Sequence, residues 1–351
     1  MADDKNQELE LLKLHFGRRK DGRWEIAAMT GIPLKASEDT DETFFAIRDD
    51  WVVAQPALAG TIRFVLGQSI VPIVTHVQGE AVLRCLGTGF FISCTGLLIT
   101  AAHVITDPIE RQYGGTKELD ELTWYARDLH IGVMIPLNPM FQGDGYIFRP
   151  IEWATFLSER ADRPLPIAGV DLKLKSDIAI CKVAPIAQDI PHQPLTIVQP
   201  GMAGTGMAVG KTATAVGYGQ MRELVELTRQ SEGVISGDFP FALHASTGAI
   251  LDRFPDNFTE PRVPTPGPCF SAQLRLPGGM SGSPIFDDEG IYVHGVVSKG
   301  WVDESGVASF GYGSMLAHSL HLPIKPLGGR SLFELHKSEE HGFPKLSGPG
   351  T

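Results

Sequence analysis

Cysteine is scarce in this chain. Its 351 residues hold four, Cys85, Cys94, Cys181 and Cys269, and no two of them form a CxxC pair. A disulfide framework is a device of small exported domains, so it is not expected in a chain of this length. The four thiols read instead as buried groups on strands. Long apolar runs are also missing. The best candidate, Phe90 to Ile105, is interrupted by Ser93, Thr95, Gly96, Thr100 and His103, which makes it too short and too polar to span a bilayer. The first residues, MADDKNQELELLKLHF, lack the basic-then-apolar order of an export signal. Positive charge is in deficit as well: 30 Lys and Arg stand against 41 Asp and Glu, a net charge of −11. Such a balance repels phosphate backbones and anionic lipid, which excludes nucleic acid and a membrane surface as expected partners. The expectation is a soluble, cytoplasmic protein.

Glycine (39) and proline (25) are abundant, and between them lie many short runs of Val, Ile and Phe, the pattern of an all-β protein rich in turns. Residues 1–60 read as an N-terminal extension. Within it Gln7 to Phe16 places Leu9, Leu12 and Phe16 at helical spacing, so a short amphipathic helix is expected there. From Thr61 the runs IRFVLGQ, SIVPIVTHVQ, AVLRCLGTGFFIS, GLLITAAHVI and KSDIAICKVA read as strands of a first barrel, about 61–195. A proline-rich joint follows, with Pro185, Pro191, Pro194 and Pro200. The second barrel is placed at about 205–320, on KTATAVGYGQ, RELVELTRQ, GVISGDF, CFSAQL, SPIFDDEG and IYVHGVVSKG. The stretches around 107–170 and 240–268 lack steady periodicity and read as surface insertions. Ser331-Leu-Phe-Glu334 is a capping-box pattern, so a short helix is expected at the start of the C-terminal segment 331–351. The barrels together make one domain, 61–330.

Three local signals carry chemistry. Thr100-Ala-Ala-His103 closes a strand of the first barrel, Ser176-Asp177-Ile-Ala-Ile180 opens a later strand, and Gly278-Gly-Met-Ser281-Gly-Ser-Pro284 lies on a Gly-rich turn before a hairpin. A serine hydroxyl is a weak nucleophile at neutral pH and needs a base to take its proton as it attacks. Imidazole suits that task because its pKa lies near the working pH. A buried carboxylate then fixes the imidazole tautomer. The developing oxyanion needs backbone N–H donors, and a turn with Gly279 in it can aim successive N–H groups of residues 279–281 into one pocket. The order His, Asp, Ser also discriminates. An α/β-hydrolase runs Ser, Asp, His on G-x-S-x-G, and here the last position of that motif is Ser283. Asp171 and Ser283 are the nearest rivals for the carboxylate and the nucleophile. No metal and no cofactor is needed, and His336 and His341 read as parts of a solvated tail.

On these blocks the sequence resembles the trypsin-like (chymotrypsin-fold) serine peptidases, in the style of bacterial intracellular and Deg-type members, over roughly 61–320. The resemblance implies two six-stranded antiparallel β-barrels with short terminal helices and long loop insertions. It implies His103 as base, Asp177 as its partner, Ser281 as nucleophile, and the N–H groups of Gly279 and Ser281 as the oxyanion hole. Ser298-Lys299-Gly300 matches the strand that pairs with substrate backbone, with Ser298 also supporting the catalytic carboxylate. Gly311-Tyr312-Gly313 matches a wall of the primary pocket, and Arg275, six residues before Ser281, matches its base, where a cation would favour an acidic residue before the scissile bond. Met280 and Val104 replace the family's Asp and Cys of secreted members, which argues against activation by a newly cut N-terminus and against a disulfide beside His103. The implied function is a serine endopeptidase working on protein or peptide substrate through an acyl-enzyme. The alternative is a protease-fold binding module, or a latent peptidase that a regulatory protein partner switches on.

Overall fold

In the computed structural model the described residues comprise three N-terminal strands and most of 67–343. Outside them lie 1–7, 19–23, 36–43, 48–66 and 344–351, together with internal connections of which the longest are 114–122, 137–145, 157–164, 185–191, 199–206 and 256–262. The expected helix at 7–16 is replaced by a strand: β1 (Glu8–Arg18) pairs antiparallel with β2 (Trp24–Lys35). The same ELELLKLHF stretch that offers a helical spacing also alternates apolar and polar residues, and the alternating period prevails because a paired strand is available to satisfy its backbone. A third strand, β3 (Phe44–Ile47), pairs at its edge with a strand of the second barrel described below.

The first barrel closes from β4 (Ile70–His76), β5 (Val82–Phe91), β6 (Leu97–Thr100), β8 (His130–Pro136), β9 (Tyr146–Phe156) and β12 (Ala179–Val183). The ring runs β4-β5-β6-β12-β9-β8 and back to β4, antiparallel throughout. The short β7 (Thr123–Tyr125) adds to β9, and β10 (Leu165–Ile167) with β11 (Val170–Leu172) forms a separate two-stranded sheet. The 107–170 stretch is therefore not simply surface insertion, since β8 and β9 are barrel staves. Strand β8 reads HIGVMIP and is buried at every interior position. A strand covered on both faces has no reason to alternate, which is why its periodicity is invisible.

The second barrel closes from β13 (Thr212–Gly219), β16 (Ala242–Phe254), β17 (Cys269–Ala272), β18 (Pro284–Phe286), β19 (Val293–Val302) and β20 (Ala308–Met315). Its ring runs β13-β18-β19-β20-β17-β16 and back to β13. The fold is thus two closed six-stranded antiparallel barrels. Here too a stretch read as insertion supplies a stave, β16, whose first half pairs with β13 and whose second half pairs with β17.

One hairpin crosses between the halves of the sequence. Strands β14 (Leu224–Ser231) and β15 (Val234–Gly237) follow β13 in the chain but pair with the first barrel, β14 on Val82–Arg84 of β5 and β15 on Tyr146–Ile147 of β9. They continue the barrel wall where β6 and β12 end.

Apolar burial accounts for the assembly. Phe90, Phe91, Leu97, Leu98 and Ile99 are fully buried in the first barrel, and Phe270, Ile285 and Met280 in the second. All four cysteines are free. Cys85 and Cys269 have thiols that burial pushes up to about 12, and burial raises that of Cys181 as well. Three of the four lie on strands, as expected; Cys94 sits in the turn after β5. Among the described residues no helix is long and apolar enough to cross a membrane.

Helices are few. α1 (Ala102–Tyr113) leaves β6, α2 (Leu316–Ser319) leaves β20, and α3 (Leu332–Lys337) lies near the C-terminus. α3 begins with the expected capping box: Glu334 N–H donates to Ser331 Oγ, and Ser331 N–H donates to Glu334 Oε2. Its Leu332 and Leu335 are fully buried in a core cluster to which both barrels contribute. Removing the cap by Ser331→Ala should cost about 1 kcal/mol of stability, measured by denaturant unfolding. A variant as stable as wild type would show that core packing alone holds the helix.

Candidate active site

The site lies where β6, the start of β12, the 277–283 loop and β19 meet. His103 stands in the first turn of α1, directly after β6. Asp177 lies two residues before β12, and β12 pairs with β6 so that Ala179 faces Thr100. This pairing brings two residues 74 positions apart into contact. The Asp177 carboxylate accepts two hydrogen bonds from His103, from the backbone N–H at 3.0 Å and from the ring Nδ1 at 2.8 Å. A carboxylate only accepts, so Nδ1 carries the proton and Nε2 keeps the lone pair of the neutral ring. The third donor is Ser298 Oγ on β19, in a short hydrogen bond to Asp177 Oδ2. Asp177 is buried, and three donors compensate the solvation it has lost.

Ser281 sits on the loop between β17 and β18. Its hydroxyl donates to the backbone oxygen of the same Ser298, 3.4 Å away. Ser298 therefore touches the nucleophile candidate through its main chain and the carboxylate through its side chain. No hydrogen bond joins Ser281 to His103. The loop has an unusual backbone. Gly279 has φ of 99° and Gly282 of 89°, a region that L side chains rarely adopt. A Cβ on Gly282 would also lie 2.0 Å from the Thr88 carbonyl oxygen. Neither Gly279 N–H nor Ser281 N–H donates to a protein acceptor among the described residues. Their neighbours do: Met280 N–H bonds to the Pro277 oxygen and Gly282 N–H to the Val297 oxygen.

Thr88, on β5 of the first barrel, clamps this loop. Its N–H donates to the Ser281 oxygen at 2.8 Å and its Oγ1 donates to the Gly279 oxygen at 2.9 Å. The same Oγ1 accepts from the Tyr218 N–H of the second barrel, and the Thr88 oxygen accepts from Thr100 Oγ1.

A sequence model of the trypsin-like peptidase domain matches residues 87–295, more than half of the chain. The chain belongs to the trypsin-like peptidase family. Among solved structures this trypsin-like peptidase is similar to Deg5, with 13% identity over 74% of this chain and 90% of that one and a TM-score of 0.43. It is also similar to the HtrA-type protease AlgW with a decapeptide, with 14% identity over 74% of this chain and 64% of that one, just under two thirds, and a TM-score of 0.40. No curated protein sequence matches.

Of the residues expected for the site, the structure joins His103, Asp177, Ser281 and Ser298, and places Gly279 on the same loop. Gly300 on β19 faces Gly311 on β20. Lys299 is exposed beside His103. Leu276, rather than Arg275, is the side chain that stands against the glycine pair. A Cβ on Gly311 would lie 2.2 Å from Leu276 Cδ1, and one on Gly300 would lie 3.1 Å from Leu276 Cβ. Arg275 is half-buried, with its N–H on Ser246 Oγ. The rival Ser283 is fully buried and directed at Gly217, where a Cβ would meet its Oγ at 1.7 Å. The side chain of Asp171, on β11, lies outside the described residues. Thr88 and Leu276 escaped the sequence reading, the first because a Gly-Thr-Gly run reads as ordinary strand, the second because Leu carries no chemistry of its own. Among the described residues no group of three or more His, Cys, Asp and Glu could hold a metal ion.

The His103 pKa is raised above the ordinary imidazole value. Burial lowers it, but the charge and hydrogen bond of Asp177, helped by Asp107, outweigh burial and the opposing Lys299. Raised in the folded state, the protonated ring adds stability below the unfolded value, and that contribution is lost as pH rises through the folded value. NMR titration should place His103 above about 6.5. Asp177→Asn should move it below, because burial and Lys299 then act unopposed except by Asp107. No change in that variant would break the assigned pairing.

Proposed function

We propose that the protein is a serine endopeptidase in which Ser281 is the nucleophile, His103 the general base and Asp177 the group that orients it. The observation that carries this reading is the double grip of the buried Asp177 carboxylate on His103, which leaves Nε2 as the free lone pair of the ring. In the reaction Ser281 Oγ attacks the peptide carbonyl carbon while its proton passes to His103 Nε2. The oxyanion forms against the unengaged N–H groups of Gly279 and Ser281. Collapse of the tetrahedral intermediate breaks the C–N bond, and His103 gives its proton to the leaving amine. Water, deprotonated by His103, then hydrolyses the acyl-serine. The Ser281 hydroxyl must first turn from the Ser298 oxygen towards His103. Catalytic hydrogen bonds are often unmade in the free enzyme.

A substrate strand would lie along Ser298-Lys299-Gly300 of β19. Leu276 over the Gly300–Gly311 pair makes the adjoining pocket shallow and apolar, which favours a small aliphatic residue before the scissile bond. The turn of Ser281 towards Ser298 also favours a second reading, a latent peptidase that a regulatory protein partner switches on. Four free thiols fit a reducing, cytoplasmic setting, and the net charge of −11 argues against nucleic acid and membrane partners.

Hydrolysis of a peptide library should disappear in Ser281→Ala and fall by about a thousandfold or more in His103→Ala. Cleavage by the isolated wild-type chain decides for a constitutive enzyme, and cleavage only with added cell extract decides for the latent form. Within the library, cuts should follow Ala or Val, and Leu276→Gly should shift them towards larger apolar residues. Cuts after Asp or Glu would restore the role expected of Arg275.

A further inference from the structure

One buried hydrogen bond next to the site has no part in the chemistry above. Thr265, 2% exposed, lies on the connection leading into β17. Its Oγ1 donates to Ser298 Oγ at 3.0 Å. Chemistry fixes the direction of this chain. The Asp177 carboxylate can only accept, so the single Ser298 hydroxyl proton goes to Asp177, and Ser298 receives Thr265 on a lone pair. Thr265 to Ser298 to Asp177 is a one-way series of donors that ends on the oxygen bound to His103 Nδ1.

The surroundings hold Thr265 in place. Its carbonyl accepts from Cys269 Sγ, at the first position of β17. Its neighbour Pro266 biases its backbone to extended conformations. The Pro268 oxygen accepts from Met315 N–H, which ties the connection to the end of β20. The stretch read as surface insertion thus sends one hydroxyl into the interior, where a lone serine rotor would otherwise choose among staggered directions.

We propose that Thr265 is a positioning residue of the active site: it fixes the Ser298 hydroxyl on Asp177 and so fixes the carboxylate on His103. Its catalytic consequence rests on the peptidase reading, while the positioning itself is open to measurement without turnover. Donation by Thr265 polarises the Ser298 hydroxyl and strengthens its bond to the carboxylate.

The test uses the full chain with Thr265→Val, Thr265→Ala and Thr265→Ser. Valine keeps the size and branching and removes the donor; serine keeps the donor and removes the methyl group. Two quantities are read on each: kcat and KM for a cleaved peptide, and the downfield NMR resonance of the His103 Nδ1 proton. The valine and alanine proteins should lose about five- to tenfold in kcat, the worth of one hydrogen bond, with KM unchanged. Their Nδ1 resonance should broaden or vanish, and the serine protein should resemble wild type in both readouts. Wild-type kcat and resonance in Thr265→Val would overturn the proposal. So would equal losses in Val and Ser variants, or a loss confined to KM. If wild type cleaves nothing, alone or with added cell extract, the peptidase reading fails, and the resonance alone decides the role of Thr265 by the same comparison.

Discussion

The arrangement depends on Thr88. The two barrels are separate hydrogen-bonded cylinders, and the residues of the site are divided between them: His103 and Asp177 on the first, Ser281 and Ser298 on the second. Burying apolar surface presses the barrels together but is non-directional. Thr88 adds direction. With its N–H on the Ser281 oxygen and its hydroxyl on the Gly279 oxygen, it fixes two peptide planes of the 277–283 loop against β5. The N–H groups of Gly279 and Ser281 meet no protein acceptor among the described residues. The Tyr218 N–H and the Thr100 hydroxyl use its remaining acceptors, so the residue is held from both barrels.

Asp177 is the second constraint. A buried carboxylate is tolerable only when its lone pairs are met, and here they are met by His103 twice and by Ser298. Each bond serves placement as well as solvation. The two from His103 hold the ring on α1, and the one from Ser298 brings β19 to the same point. The Ser298 backbone oxygen receives Ser281, so one residue registers the 277–283 loop, β19 and the carboxylate together.

The residues of the candidate site were legible in the sequence because their signals are local. His103 after an apolar strand, Asp177 before one and Ser281 on a Gly-rich turn each announce themselves within a few residues, and their order excludes the rival hydrolase fold. Most strands were legible for the same reason. What escaped depends on pairing at a distance. The Leu9–Phe16 stretch satisfies both helical and alternating periods, and only its partner β2 decides between them. Strand β8 is covered too completely to alternate, β16 (ALHASTGAILDRF) passes from a buried first half to an exposed second half, and nothing within LVELTRQS declares that β14 attaches to the first barrel. Thr88, Thr265 and Leu276 matter through what they touch, and no short pattern reveals a contact made across 130 residues, such as that between Thr88 and Tyr218.

On the proposed reading Ser281, alone among the serines, is activated by the Asp177–His103 pair. Reaction with a fluorophosphonate, followed by digestion and mass spectrometry, tests it most directly, because the reagent bonds only to a hydroxyl with a working base beside it. The expected result is a single adduct on Ser281, absent when His103 is replaced by alanine. An adduct on another serine, or one on Ser281 that forms equally well without His103, would contradict the account.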